Sequence, residues 1–126
     1  DNESFYVRLI KNANLKNCEV INDIDIYQLL LQANLVITCY STVGLEALYF
    51  DIPLIVFDSK EKDLAGYLKY DIAYLAKNTT DLTSLILKHT EVQLKTKENV
   101  QTYLDSVSYL RDGNCHQRIF NKIKDL

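Results

Sequence analysis

The 126-residue sequence predicts an α/β domain built on an open parallel sheet covered by helices on both faces. Two observations carry this. Short apolar, strand-like pieces alternate with helical ones along the chain, which is the pattern of βαβ units. In addition, Leu35 to Leu48 reads as a buried strand that stops in small hydroxyl residues, which in turn open a helix carrying one glutamate in its first turns.

Taken in order, Phe5 to Ile10 is the first strand candidate and Cys18 to Ile21 the second, with the polar Lys11-Asn12-Ala13-Asn14 stretch as a turn between them. Asp23 and Asp25 precede an apolar run and can cap a helix that reaches about Ala33. Leu35 to Thr38 is the best strand of the chain. Thr42 to Phe50 follows as a short helix with Val43, Ala47 and Phe50 at helical spacing. Pro53 to Phe57 is the next strand, its proline at the first position, where a missing donor costs little. Asp63 to Tyr70 is expected to be a helix and Ile72 to Leu75 a brief strand. Thr79, Thr80 and Asp81 supply a cap and a first-turn carboxylate to a helix holding Leu82, Leu85 and Ile86. Val92 to Leu110 is amphipathic and helical, Gly113 breaks it, and Asn114 can cap a last helix with Ile119, Phe120 and Ile123 on one face. The elements define a three-layer, Rossmann-like open sheet that ends in C-terminal helices, over residues 1–126 as one domain.

Composition narrows the function. A hydrophobic fraction of 48% closes a core in a domain of this size. The net charge of −3 and scattered basic residues give no field for nucleic acid, so a bound anion must be met by a local site. Cys18, Cys39 and Cys115 form no C-x-x-C pair, and their odd number points to a reducing compartment. No apolar run approaches the roughly 20 residues of a bilayer span, and the first residues have no signal-peptide pattern. The missing initiator Met and the strand-like residues from Phe5 suggest a fragment of a larger protein.

In an open parallel sheet the ligand crevice lies outside the carboxyl ends of the strands. Thr38 to Thr42, Asp58 to Lys62 and Ala76 to Thr80 are therefore expected on one rim. Ser41 and Thr42 can donate hydroxyl hydrogens to phosphate oxygens, the N–H groups of Val43 and Gly44 are expected open to an anion, and Gly44 lacks a side chain that would block approach. The alternative is that Ser41 and Thr42 only cap the helix. Glu46 suits a pair of ribose hydroxyls, against a plain role as a favourable charge near the helix start. Arg8 and Lys11 are expected at the end of the first strand, where either can neutralise phosphate or remain a solvated surface charge. His89 and His116 lack metal-ligand spacing, Cys39 reads as a buried inert thiol, and Tyr67, Tyr70 and Tyr74 read as packing residues.

At Leu35 to Phe57 the chain resembles the C-terminal, nucleotide-sugar-binding half of GT-B glycosyltransferases, in particular the capsule and surface-polysaccharide branch. The likeness is carried by Ser41-Thr42-Val43-Gly44-Leu45-Glu46-Ala47-Leu48 and the proline-led strand after it, and extends more weakly to Asp25–Leu30, Asp112-Gly113-Asn114 and Arg118-Ile119. The resemblance implies that Ser41, Thr42 and the Val43 and Gly44 amides hold a nucleotide diphosphate and that Glu46 holds the ribose. Asp58, Ser59 and Asp63 would face sugar or acceptor. It implies a transferase without a metal or resident cofactor, a UDP-sugar as substrate, an acceptor domain N-terminal to this one, and a cytoplasmic setting that includes the inner membrane face. Half of a UDP-sugar 2-epimerase, a CDP-glycerol-type polymer transferase and a non-catalytic flavodoxin-like module are the other readings.

Overall fold

The computed structural model describes residues 2–88, 94–108, 110 and 112–124, with side chains from residue 5 onward. The chain divides into two compact units, Asp1–Gln32 and Ala33–Leu126.

The first unit holds helices α1 (Asn2–Asn12) and α2 (Ile26–Leu30). The strand expected over Phe5 to Ile10 is thus a helix. Its apolar residues fit two periods: Phe5, Val7 and Leu9 alternate as in a strand, while Phe5, Tyr6, Leu9 and Ile10 form a helical stripe. Without a pairing strand, the helix is what satisfies these backbone groups locally. It ends where Asn14 takes a positive φ of 51° and the Leu15 N–H donates back to the Ile10 carbonyl at 3.1 Å. The second expected strand, Cys18 to Ile21, has no regular structure. Helix α2 begins as its sequence predicts, with the Asp25 carboxylate accepting the Tyr27 N–H at 2.9 Å.

The second unit is the α/β body. Strands β1 (Val36–Thr38), β2 (Leu54–Phe57) and β3 (Tyr74–Ala76) form a parallel sheet in the order β1-β2-β3. The register pairs Thr38 with Val56 and Phe57 with Ala76, so the three loops that follow the strands leave from one edge. Between strands run α3 (Val43–Tyr49) and α4 (Thr79–Leu87) follows β3; α5 (Lys97–Val107) and α6 (Cys115–Lys124) complete the unit.

Alternation along β2 makes three layers. Leu54 and Val56 pack with Leu48 of α3 and with Val100, Tyr103 and Leu104 of α5 on one face. Ile55 and Phe57 pack with Tyr74, Ala76 and with Leu82 and Leu85 of α4 on the other. Both faces of a parallel sheet are thereby covered, as its apolar strands require. On α3 the buried stripe is Gly44, Ala47 and Leu48, so Phe50, expected inside, lies outside it.

The helix expected over Asp63 to Tyr70 is a run of turns instead. Gly66 has a φ of +77° and Asp63 one of +43°, and the Asp63 carboxylate takes the N–H groups of Leu68 at 3.0 Å and Lys69 at 2.8 Å, donors that a helix would bond four residues back. The Ile72 N–H then donates to the Tyr67 carbonyl, which delays β3 to Tyr74. Helix α4 is capped one residue earlier than expected: the Asn78 side chain accepts the Asp81 N–H at 2.9 Å while Asp81 accepts the Lys77 N–H at 3.0 Å, a reciprocal capping pair. Gly113, at a φ of +73°, precedes α6, whose first turn closes when the Arg118 N–H reaches the Asn114 carbonyl. His89, and Val92 at the start of the expected long helix, lie outside the described residues. Among the described residues no helix is long and apolar enough to cross a membrane.

Leu48 is buried between α3, β2 and α5, so Leu48→Ala removes core contacts with no solvent to replace them. Urea denaturation should show a loss of about 2–5 kcal/mol. Ile119→Ala, on an exposed position of α6, should change stability by under about 0.5 kcal/mol.

Candidate functional site

The site is built where the loops after β1 and β2 meet. Thr38 ends β1 and is buried, and its Oγ1 accepts the Ser41 N–H at 3.2 Å, which turns the chain sharply out of the strand. The Ser41 hydroxyl in turn accepts the Val43 N–H at 3.2 Å, and the Ser41 carbonyl accepts the Gly44 N–H at 3.2 Å. Both amides expected to be open to an anion therefore have partners inside the loop. Thr42 is the N-cap residue of α3, yet its side chain makes no capping hydrogen bond. Ser41 and Thr42 are both exposed, so a local turn role accounts for the Ser41 hydroxyl but not for that of Thr42.

Glu46 follows one turn later. Its N–H donates to the Thr42 carbonyl at 3.1 Å, and its Oε2 is buried without a hydrogen-bond partner. An unpaired buried carboxylate oxygen costs free energy that native structures usually avoid, and such an atom is a ready acceptor for a ligand hydroxyl.

Asp58, just past β2, is 1% exposed. Its Oδ1 accepts the Tyr40 hydroxyl at 3.0 Å and the Lys60 N–H at 2.9 Å, and its Oδ2 accepts the N–H groups of Lys62 at 2.8 Å and Asp63 at 3.3 Å. Burial works against the charge, but the Lys60 amide, the Tyr40 hydroxyl and the Lys62 and Asp63 amides outweigh it and hold the carboxyl below its usual range. The same contact, followed by burial, raises the Tyr40 phenol above its ordinary value, so Tyr40 stays a donor. Asp63 spends its carboxylate on Leu68 and Lys69, as described above. Both aspartates that were expected to face sugar or acceptor thus shape the backbone of the rim, while Ser59, Lys60 and Lys62 are exposed on it. Lys77, leaving β3, pairs with Glu61 at 2.8 Å, and the Asp58 N–H donates to the Ala76 carbonyl at 3.0 Å. The three loops expected to share a rim do so.

Other expected residues fall elsewhere. Arg8 and Lys11 lie on helix α1 and not at a strand end, so the argument that put them on the rim does not apply to them. Cys39 is exposed, not buried, because it follows the last strand residue into the loop. Tyr67 and Tyr103 are core residues with rings 5.5 Å apart, Tyr70 lies 5.3 Å from Tyr103, and Tyr74 packs on the opposite face of the sheet. His116 is exposed at the start of α6, and among the described residues no cluster of His, Cys, Asp or Glu could hold a metal ion.

Sequence reasoning missed Tyr67. Its hydroxyl donates to the Ser41 carbonyl at 3.3 Å, and a Cβ on Gly44 would stand 2.9 Å from the same oxygen. Gly44 was the available signal, since a glycine at a helix start marks a close approach. The group that approaches is this phenol.

The first βα turn of this parallel sheet carries two exposed hydroxyl residues, with an unpaired glutamate oxygen one turn on, at the edge where open sheets of this kind have their crevice. The model of the CDP-Glycerol:Poly(glycerophosphate) glycerophosphotransferase family matches residues 6–125, and the chain belongs to that family, a family of transferases. No curated protein and no solved structure matches the chain.

The Asp58 knot has a defined acid response. Its folded carboxyl titrates below the ordinary value of 3.8, so its stabilisation is complete above that pH and is lost as pH falls through the lower folded value. The melting temperature should fall below about pH 4 more steeply in the wild type than in Asp58→Asn, whose starting stability is already lower. Thermal unfolding followed by circular dichroism between pH 2 and 7 checks this.

Proposed function

We propose that this chain holds the nucleotide end of CDP-glycerol for a transferase that adds glycerophosphate to a polymer. The observation that carries the reading is the buried, unpartnered Oε2 of Glu46, set one turn beyond two exposed hydroxyl residues at the carboxyl end of β1. Membership of the glycerophosphotransferase family supports CDP-glycerol as the donor. In this reading Glu46 accepts hydrogen bonds from the ribose hydroxyls, and Ser41 and Thr42 donate to the diphosphate. When the Ser41 hydroxyl turns onto a phosphate oxygen it releases the Val43 N–H, which becomes a further donor; the Gly44 N–H keeps its bond to the Ser41 carbonyl.

The reaction assigned to the whole enzyme is a phosphoryl transfer. An acceptor hydroxyl oxygen bonds to the phosphorus that carries glycerol, that phosphorus separates from the bridging oxygen, the acceptor proton passes to a base, and CMP leaves with the bridging oxygen. The share of these residues is to position the donor and stabilise the leaving phosphate. In this reading the acceptor site and the base lie on a facing, N-terminal acceptor domain of GT-B type, and the reaction runs in the cytoplasm or at the inner membrane face. Asp58 and Asp63 enter this reading through the rim backbone they hold, and Arg8 and Lys11 have no part in it.

The Ser-Thr-Val-Gly-Leu-Glu-Ala-Leu run also supports the nucleotide-sugar reading, with a UDP-sugar of surface-polysaccharide synthesis as donor. It uses the same three side chains and differs in base and in transferred group.

Titration of labelled chain with CMP, CDP-glycerol, UDP and GDP separates the readings. Cytidine nucleotides should perturb the amides of residues 38–46 at the lowest concentrations, and Glu46→Ala should weaken them by about 1–3 kcal/mol. Tighter binding of UDP would move the assignment to a nucleotide sugar, and silence of residues 38–46 with every nucleotide would sink the site.

A further inference from the structure

The Ser41–Glu46 turn is held from behind by a residue that touches no solvent. Tyr67 is 2% exposed and lies in the turn that the Asp63 carboxylate organises. Its hydroxyl donates to the Ser41 carbonyl at 3.3 Å. Gly44 leaves room for this: a Cβ there would come within 2.9–3.0 Å of the phenol oxygen and two ring carbons. The ring is itself fixed edge-on against Tyr103, whose hydroxyl donates to the Ala65 carbonyl at 3.0 Å.

One phenol therefore bonds the Ser41 carbonyl and fills the space beside Gly44, within the turn that joins the Ser41 and Thr42 hydroxyls to the Glu46 carboxylate. Moving it would move both ends of the proposed donor contact together. We propose that Tyr67 is the positioning residue of the donor site, fixing the spacing between the Ser41 and Thr42 hydroxyls and the Glu46 carboxylate without touching the donor. This rests on the donor-site reading. Burial raises the Tyr67 phenol above its ordinary value, so at neutral pH it is protonated and donates to Ser41.

Tyr103 supplies the comparison, because it is also buried, its hydroxyl donates to the Ala65 carbonyl outside the turn, and although that hydroxyl also meets the Tyr67 oxygen, Tyr103→Phe leaves the Tyr67 donor to Ser41 in place. Tyr67→Phe and Tyr103→Phe should each lower the melting temperature by a few degrees through loss of one buried hydrogen bond. Only Tyr67→Phe should raise the Kd for CDP-glycerol, roughly three- to tenfold, with shifted amide resonances from Thr42 to Glu46. Gly44→Ala, which displaces the phenol while leaving its hydroxyl, should weaken binding in the same direction and serves if Tyr67→Phe does not fold. Wild-type affinity in the folded Tyr67→Phe or Gly44→Ala chain, or an equal loss in Tyr103→Phe, overturns the assignment. A wild-type chain that does not bind CDP-glycerol removes the donor-site reading itself and this inference with it.

Discussion

The buried carboxylate of Asp58 is the contact on which the rim of this sheet depends. It draws one donor from the loop after β1, the Tyr40 hydroxyl, and three from its own loop, the N–H groups of Lys60, Lys62 and Asp63. A charge this deep is tolerated only because all its hydrogen bonds are made. In return it fixes where two adjacent loops leave the sheet. Because Asp63 is set by this knot, its own carboxylate is in place to gather Leu68 and Lys69, and the turn so formed delivers Tyr67 to the back of the Ser41 loop. Two acidic side chains expected to face a ligand are instead the scaffold that supports the Ser41 turn.

This division of labour shapes the chemistry. The Ser41 and Thr42 hydroxyls lie in the turn before a short helix and the Glu46 carboxylate on its first turn, and their backbone bonds are largely made within the loop. Such a turn offers side-chain donors and one unsatisfied acceptor, not a cradle of bare amides. The proposed donor, with both a diol and phosphates, suits this arrangement, since its diol would answer the buried Glu46 oxygen that has no partner.

The strand–turn–helix from Leu35 to Tyr49 was legible because its signals are local: a continuous apolar strand, hydroxyl residues at the turn and a proline-led strand after it. The reciprocal cap at Asn78 and Asp81 was nearly so, displaced by one residue because asparagine competes with threonine for the same role. What misled was periodicity in short runs. Phe5 to Ile10 satisfies strand and helix patterns alike, and only the absence of a pairing neighbour decides between them. The stretch from Asp63 to Tyr70 carries helix-compatible residues, but an aspartate that captures two downstream amides, with Gly66 in a left-handed conformation, defeats the helix. The inward turn of Asp58 and the contact of Tyr67 with Ser41 are long-range facts, separated in sequence from Tyr40 and Ser41 by 18 and 26 residues, and only Gly44 hints at the second.

The central claim is that the unpaired oxygen of Glu46 waits for a ribose. A crystal structure of the chain with CMP tests it most directly. The account predicts that Glu46 Oε2 lies within hydrogen-bond distance of a ribose hydroxyl while the phosphate meets the Ser41 and Thr42 hydroxyls. CMP bound elsewhere on the chain, or bound at the turn with Glu46 Oε2 still unpartnered, would contradict it.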